Sequence, residues 1–196
     1  MGFNIVGGEL KRYTKEPGVT EVVVPDGVEQ IGIGAFWDCS DMRSVTFPES
    51  VTRISGLAFY GCSSLTTVIA PGATYICYDA FQKCDKLKMI VSPQKPAASF
   101  RGSGTAVKHA ALRGWLDHPE LFTNETVFED NKRYMFLQVQ RTLPIVYEED
   151  SVSGIKAFAE SGRINEKNFY DRFLLPAVNA NAVKCVAFLL EWQSEL

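Results

Sequence analysis

The sequence predicts an α+β chain in which a short solenoid with one strand per repeat is followed by an all-α C-terminal domain. Three observations predict it. Pro25, Pro48, Pro71 and Pro93 stand 23, 23 and 22 residues apart. The pairs Ala35-Phe36, Ala58-Phe59 and Ala80-Phe81 keep the same step, and so do Cys39, Cys62 and Cys84, each three positions after its Phe. Beyond residue 105 the period becomes helical, with apolar residues three and four apart. Repetition at this length marks a solenoid, because each unit has an apolar face that only a stacked neighbour can bury.

Taken in order, residues 1–18 are predicted to cap the first coil. Phe3, Ile5, Leu10 and Tyr13 are expected to lie across apolar core that an open solenoid end would expose. Residues 19–95 form the array. Val19, Met42, Leu65 and Leu87 hold its first apolar position, Val22, Val45, Val68 and Ile90 its second, and Val24, Phe47 and Ala70 stand just before Pro. Val28, Val51 and Ala73 follow, then Ile31, Ile54 and Ile76. The runs Glu21-Val22-Val23-Val24, Ser44-Val45-Thr46-Phe47 and Thr67-Val68-Ile69-Ala70 suit short strands, which Pro ends because it cannot donate to a ladder. Strand alternation then turns Glu21, Ser44, Thr67 and Met89 outward, with Val23, Thr46, Ile69 and Val91 as a second outward row. These eight residues are the candidate partner-binding face. Being largely apolar, the face either meets a partner or is covered by the chain's own helical region. Trp37 and Tyr60, directly after the Phe anchors, point elsewhere, and Gln82 ends that aromatic track.

The repeat resembles the BspA-type leucine-rich repeat, whose consensus runs Leu-x-x-Ile-x-Ile-Pro-x-x-Val-x-x-Ile-x-x-x-Ala-Phe-x-x-Cys. Three nearly full copies and the opening of a fourth cover residues 19 to 93, and Gly7-Gly8-Glu9-Leu10-Lys11-Arg12-Tyr13-Thr14 looks like the capping segment that precedes such arrays. The resemblance implies a curved leucine-rich-repeat solenoid, bacterial in kind, in a family associated with adhesion and protein interaction. It carries over no catalytic residue.

Residues 96–105, rich in Pro, Gly, Ser and Ala, read as a linker or ordered connecting loop. Residues 106–196 read as helices. The first ends near Asp117-His118-Pro119. The second opens on a Thr126/Glu129 capping box, with Tyr134, Leu137 and Arg141 on one stripe. A short helix follows Pro144. Asp150 or Ser151 then caps a helix stopped by Gly162, Asn165 opens a run broken at Pro176, and Asn181 starts the last helix. The tail from Ser153 to Trp192 is similar to the helical half of ankyrin-type repeats, without their Thr-Pro-Leu-His signature.

Composition excludes several functions. Net charge is −3, with 9 basic and 10 acidic residues up to Lys95 and 11 and 13 beyond it, so no basic stripe for nucleic acid exists. No apolar run is long enough to span a bilayer, so no membrane insertion is expected. The N-terminus has no export signal, which reads as cytoplasmic, or as cell surface or secreted if the start is processed. Cys39, Cys62 and Cys84 form a column whose coils lie about 4.7–4.9 Å apart, near disulfide range. A small apolar thiol in a packed corner is the plainer reading. No Cys-x-x-Cys, Gly-x-Ser-x-Gly or phosphate loop is present, and His109 and His118 stand alone, so no catalytic, cofactor or metal residue is assigned. The expected function is non-enzymatic binding of an unidentified protein through the sheet face or helical surface. A hydrolase or small-ligand site at the module junction, near Trp115 and His118, is the second reading. A self-associating structural subunit is the third.

Overall fold

A computed structural model describes residues 2–195. Met1 and Leu196, the outer bounds expected for the cap and the helical region, lie outside the described residues. The N-terminal half is a stack of coils carrying two sheets, whose repeat strands run parallel. One contains β3 (Glu21–Val23), β5 (Ser44–Thr46), β7 (Thr67–Ile69) and β9 (Met89–Val91), the strands expected before each Pro. The other adds a second, two-residue strand per coil: β4 (Gln30–Ile31), β6 (Arg53–Ile54) and β8 (Tyr75–Ile76). Register follows the repeat. Val22, Val45, Val68 and Ile90 align across the first sheet, and Ile31, Ile54 and Ile76 across the second.

The N-terminal hairpin, β1 (Gly2–Val6) and β2 (Glu9–Thr14), extends only the second sheet, with β2 parallel to β4. Leu10 falls in register with Ile31, and Tyr13 stands 5.3 Å from Phe36 between ring centroids. The column of rings therefore runs Phe3, Tyr13, Phe36, Phe59, Phe81, at 5.0–5.3 Å steps. The expected cap is thus a coil in its own right. Ile5 does not cover the core: it is exposed, because β1 lies on the outer edge and a shift of register at Asn4/Ile5 turns it away.

Cys62 and Cys84 each face the coil before them. The Cys62 thiol donates to the Phe36 carbonyl and the Cys84 thiol to the Phe59 carbonyl, both at 3.1 Å. All five cysteines are free. The contact with Cys39 pulls the Cys62 thiol down, but its contact with Cys84 and burial outweigh this and push it up to about 12. Such a thiol stays protonated and packs as a small apolar group.

The segment 92–104 is no free linker. Ala97 and Phe100 are buried, the Ala97 N–H donates to Asn131 Oδ1 at 2.8 Å, and the Ser103 hydroxyl donates to the Tyr78 carbonyl. Six helices follow: α1 (Thr105–Asp117), α2 (Glu125–Leu137), α3 (Val139–Glu148), α4 (Val152–Glu160), α5 (Leu175–Asn179) and α6 (Val183–Trp192). A π-helix, Phe169–Leu174, leads into α5. Helix α1 packs on β9, the last strand, and closes the C-terminal end of the solenoid.

Several local expectations are corrected. Asn124 caps α2, its Oδ1 accepting from the Val127 N–H, so Thr126 is already helical. The stripe through Leu137 to Arg141 is broken at Gln138, where α2 ends and α3 begins. The Thr142 hydroxyl holds that break by donating to the Met135 and Gln138 carbonyls. Pro144 lies inside α3 instead of preceding a helix. Ser151 caps α4, while Asp150 reaches across to the N-terminus of α6.

Candidate functional site

The expected face is built by the β3-β5-β7-β9 sheet. Alternation buries Val22, Val45, Val68 and Ile90 and leaves their neighbours on the other side. Register sets Glu21, Ser44, Thr67 and Met89 in one row and Val23, Thr46, Ile69 and Val91 in the other. Exposure falls along the stack. Glu21 and Val23 are exposed, Ser44, Thr46, Thr67, Ile69 and Met89 are half-buried, and Val91 is buried. Val91 therefore leaves the candidate face, a correction whose cause is the packing of α1 on β9. The remaining seven residues share one surface whose single carboxylate is Glu21. Val23, 62 % exposed, is its most prominent apolar side chain.

The aromatic track lies elsewhere. Trp37 and Tyr60 stack with centroids 4.3 Å apart, and the Lys83 ammonium sits 4.9 Å from the Tyr60 ring. The track therefore stitches neighbouring coils together. Arg53 does the same over Tyr75, at 4.1 Å.

The junction residues singled out from sequence, Trp115 and His118, line neither of the two grooves described below. Trp115 is buried in the core, packed edge-on against Phe128. His118 sits at the end of α1, its Nδ1 3.5 Å from Glu120 Oε1. Burial, then Arg113 and Arg141, hold the His109 imidazole below its usual range and so neutral near pH 7. Arg113 ties α1 to the end of α3, its Nε donating to Glu149 Oε1 at 2.8 Å and its other arm pairing with Glu148. Among the described residues no group of three or more His, Cys, Asp or Glu is placed to hold a metal ion. No helix among them is long and apolar enough to cross a membrane.

Two grooves were missed from sequence. One, of about 340 Å³, lies between Pro96–Arg101 and α2, with Asp130, Arg133 and Tyr134. The larger, about 1160 Å³, lies between α3 and the π-helix with α5. The only signal for it is Leu137, an apolar residue that the broken stripe leaves 68 % exposed.

With the coils, the register and the Cys column in view, the comparison with known families is decisive for the N-terminal half. The family described as BspA type leucine rich repeat region matches residues 11–102, in six copies. Residues 11–102 are a BspA-type leucine-rich repeat region. The match begins inside the hairpin, where Tyr13 joins the ring column, and ends after Phe100. Solved leucine-rich repeat proteins are similar to this chain. One from T. pallidum is 30% identical over 45% of this chain and 45% of its own, with a TM-score of 0.41. Another from Bacteroides ovatus is 24% identical over 52% and 31%, with a TM-score of 0.42. A leucine rich cell surface protein of Faecalibacterium prausnitzii is 26% identical over 52% and 33%, with a TM-score of 0.35. The chain spans less than half the length of each. No curated protein matches it.

Proposed function

We propose that the chain is a non-enzymatic protein-interaction module that binds another protein through the repeat sheet face, at Glu21, Val23, Ser44, Thr46, Thr67, Ile69 and Met89. The observation that carries this reading is the exposed Val23 on a nearly uncharged sheet surface, in one row with Thr46 and the half-buried Ile69. Such a surface gains by burying apolar area against a partner, at about 25 cal/mol per Å². The repeat family supports an interaction role, and Trp115 and His118 line neither groove.

The test replaces Thr46 with a photo-crosslinking residue and irradiates cells of the source organism. A discrete crosslinked protein is expected, lost in a Val23→Glu, Ile69→Glu background whose thermal unfolding matches the parent. Identical crosslinks in that background exclude the sheet face as the binding surface. Self-association has one observation in its favour, since β3 is an edge strand of its sheet. Crosslinks of the chain to itself, with a molar mass rising with concentration in light scattering, select that reading.

A further inference from the structure

The larger groove lies on the helical region, remote in sequence from the sheet face. Leu137, Leu143, Pro144, Tyr147 and Pro176 give it apolar walls. Arg141 and Arg172 line it too, both exposed, and neither is in an ion pair among the described residues. One carboxylate, Glu148, lines it and shares Arg113 with Glu149, so the lining sets two guanidiniums against one carboxylate. The uncompensated charge of the groove is therefore positive. Its walls are held in place from behind: the Tyr147 hydroxyl donates to the Phe173 carbonyl at 2.8 Å, tying α3 to the π-helix that carries Arg172. Single π-helical turns of this kind occur often at functional sites.

We propose that this groove receives an amphipathic α-helix of a partner protein, whose apolar stripe packs on Leu137, Pro144 and Pro176 and whose flanking carboxylates pair with Arg141 and Arg172. Size favours a helix. The groove's volume of about 1160 Å³ exceeds the roughly 300–1,000 Å³ of small-molecule sites, and a helix about 10–12 Å wide fills an open trough between helices. Charge selects its flanks. Two unpaired guanidiniums beside apolar surface match bidentate carboxylates and repel ammonium groups. Leu137 supplies a reason for a ligand at all, being an apolar side chain left in solvent where α2 breaks into α3.

The test uses the full chain and three fluorescent synthetic peptides of about 16 residues, roughly 24 Å when helical. The first has leucines along one stripe and glutamates on both flanks, the second has lysines for the glutamates, and the third has a central proline that breaks the helix. Fluorescence polarisation is expected to show the acidic peptide binding at micromolar Kd and the other two at least tenfold more weakly. Arg141→Glu with Arg172→Glu is expected to reverse the preference between acidic and basic peptides. Leu137→Glu, on an exposed side chain that the fold does not need, is expected to weaken the acidic peptide at least tenfold with the circular dichroism unchanged. The Val23→Glu, Ile69→Glu variant is expected to bind as the parent does, which separates this groove from the sheet face. Equal affinity for acidic and basic peptides overturns the proposal, as does no binding at millimolar peptide. Displacement of the bound peptide by equimolar dodecanoate also overturns it, in favour of a small acyl carboxylate.

Discussion

Gly61 shows how much a single position of the repeat is asked to do. The residue before each column cysteine has positive φ: Asp38 at 57°, Gly61 at 77° and Lys83 at 59°. Only the middle copy has the residue that adopts this conformation without a Cβ penalty. Gly61→Ala is expected to cost about 1 kcal/mol, since its Cβ enters a left-handed backbone and comes within 3.3 Å of Asp38 Oδ1. Gly104→Ala, at φ −62° with nothing within 4 Å of the added methyl, carries no such strain and loses only the preference for glycine over alanine at a helix N-cap, so it should cost less than Gly61→Ala. Urea unfolding of both variants decides it: equal midpoints would remove the conformational account. The Cys column itself was legible because identical residues recur at one step. The left-handed turn beside it was hidden, since Asp38 and Lys83 fill a glycine position and mask the pattern. The place of Tyr13 in the ring column was hidden for a similar reason, since it stands three residues after Leu10 where Phe36 stands five after Ile31.

At the scale of elements, α1 and α6 are each held by a contact that no local pattern announces. Gly114 brings α1 so close to β9 that an added Cβ would lie 2.0 Å from the Ile90 carbonyl oxygen, which is backbone and cannot move aside. Gly114→Ala is therefore expected to push the helix off the strand and cost about 1–3 kcal/mol by overpacking, although alanine is the better helix former. A melting temperature at or above the parent's would show that the close approach is not needed. Asp150 caps α6 from the end of α3, its carboxylate accepting from the Lys184 and Cys185 N–H groups at 3.0 and 2.9 Å. Partial burial pushes its pKa up, but these two backbone bonds outweigh that and hold the carboxyl below its usual range. A lowered folded pKa means stabilisation that is complete above the unfolded value near 3.9 and lost as pH falls through the folded one. Asp150→Asn is expected to be less stable than the parent at pH 7, by about 0.5–1 kcal/mol, with the gap closing below pH 4. Denaturation midpoints across pH 2.5–7 check this; a gap independent of pH would assign the effect to shape. Helix existence was readable from periodicity, and the caps were not, because Asp150 serves a helix more than thirty residues further on.

At the scale of the whole molecule, the sequence left open whether the helices cover the sheet face or prolong the stack. They do the second and a little of the first. Helix α1 closes the end at β9, and only the last residue of the outward row, Val91, is buried by it. The choice was not legible because period-2 alternation says which side chains leave the core, and nothing about what a distant helix later lays over them. This gives Val91 two opposite roles that one substitution separates. In the full chain Val91→Lys buries an ammonium among apolar groups and is expected to cost more than about 2 kcal/mol. In a chain ended after Gly104, β9 becomes an open edge with Val91 exposed, and such an edge pairs with its like. That shortened chain is expected to scatter light as dimers or larger, and there the same Val91→Lys is expected to restore the monomer, since an edge lysine blocks strand pairing. A shortened chain that is monomeric without the lysine would mean that β9 needs no cover, and that α1 is attached to the solenoid for a purpose other than closing it.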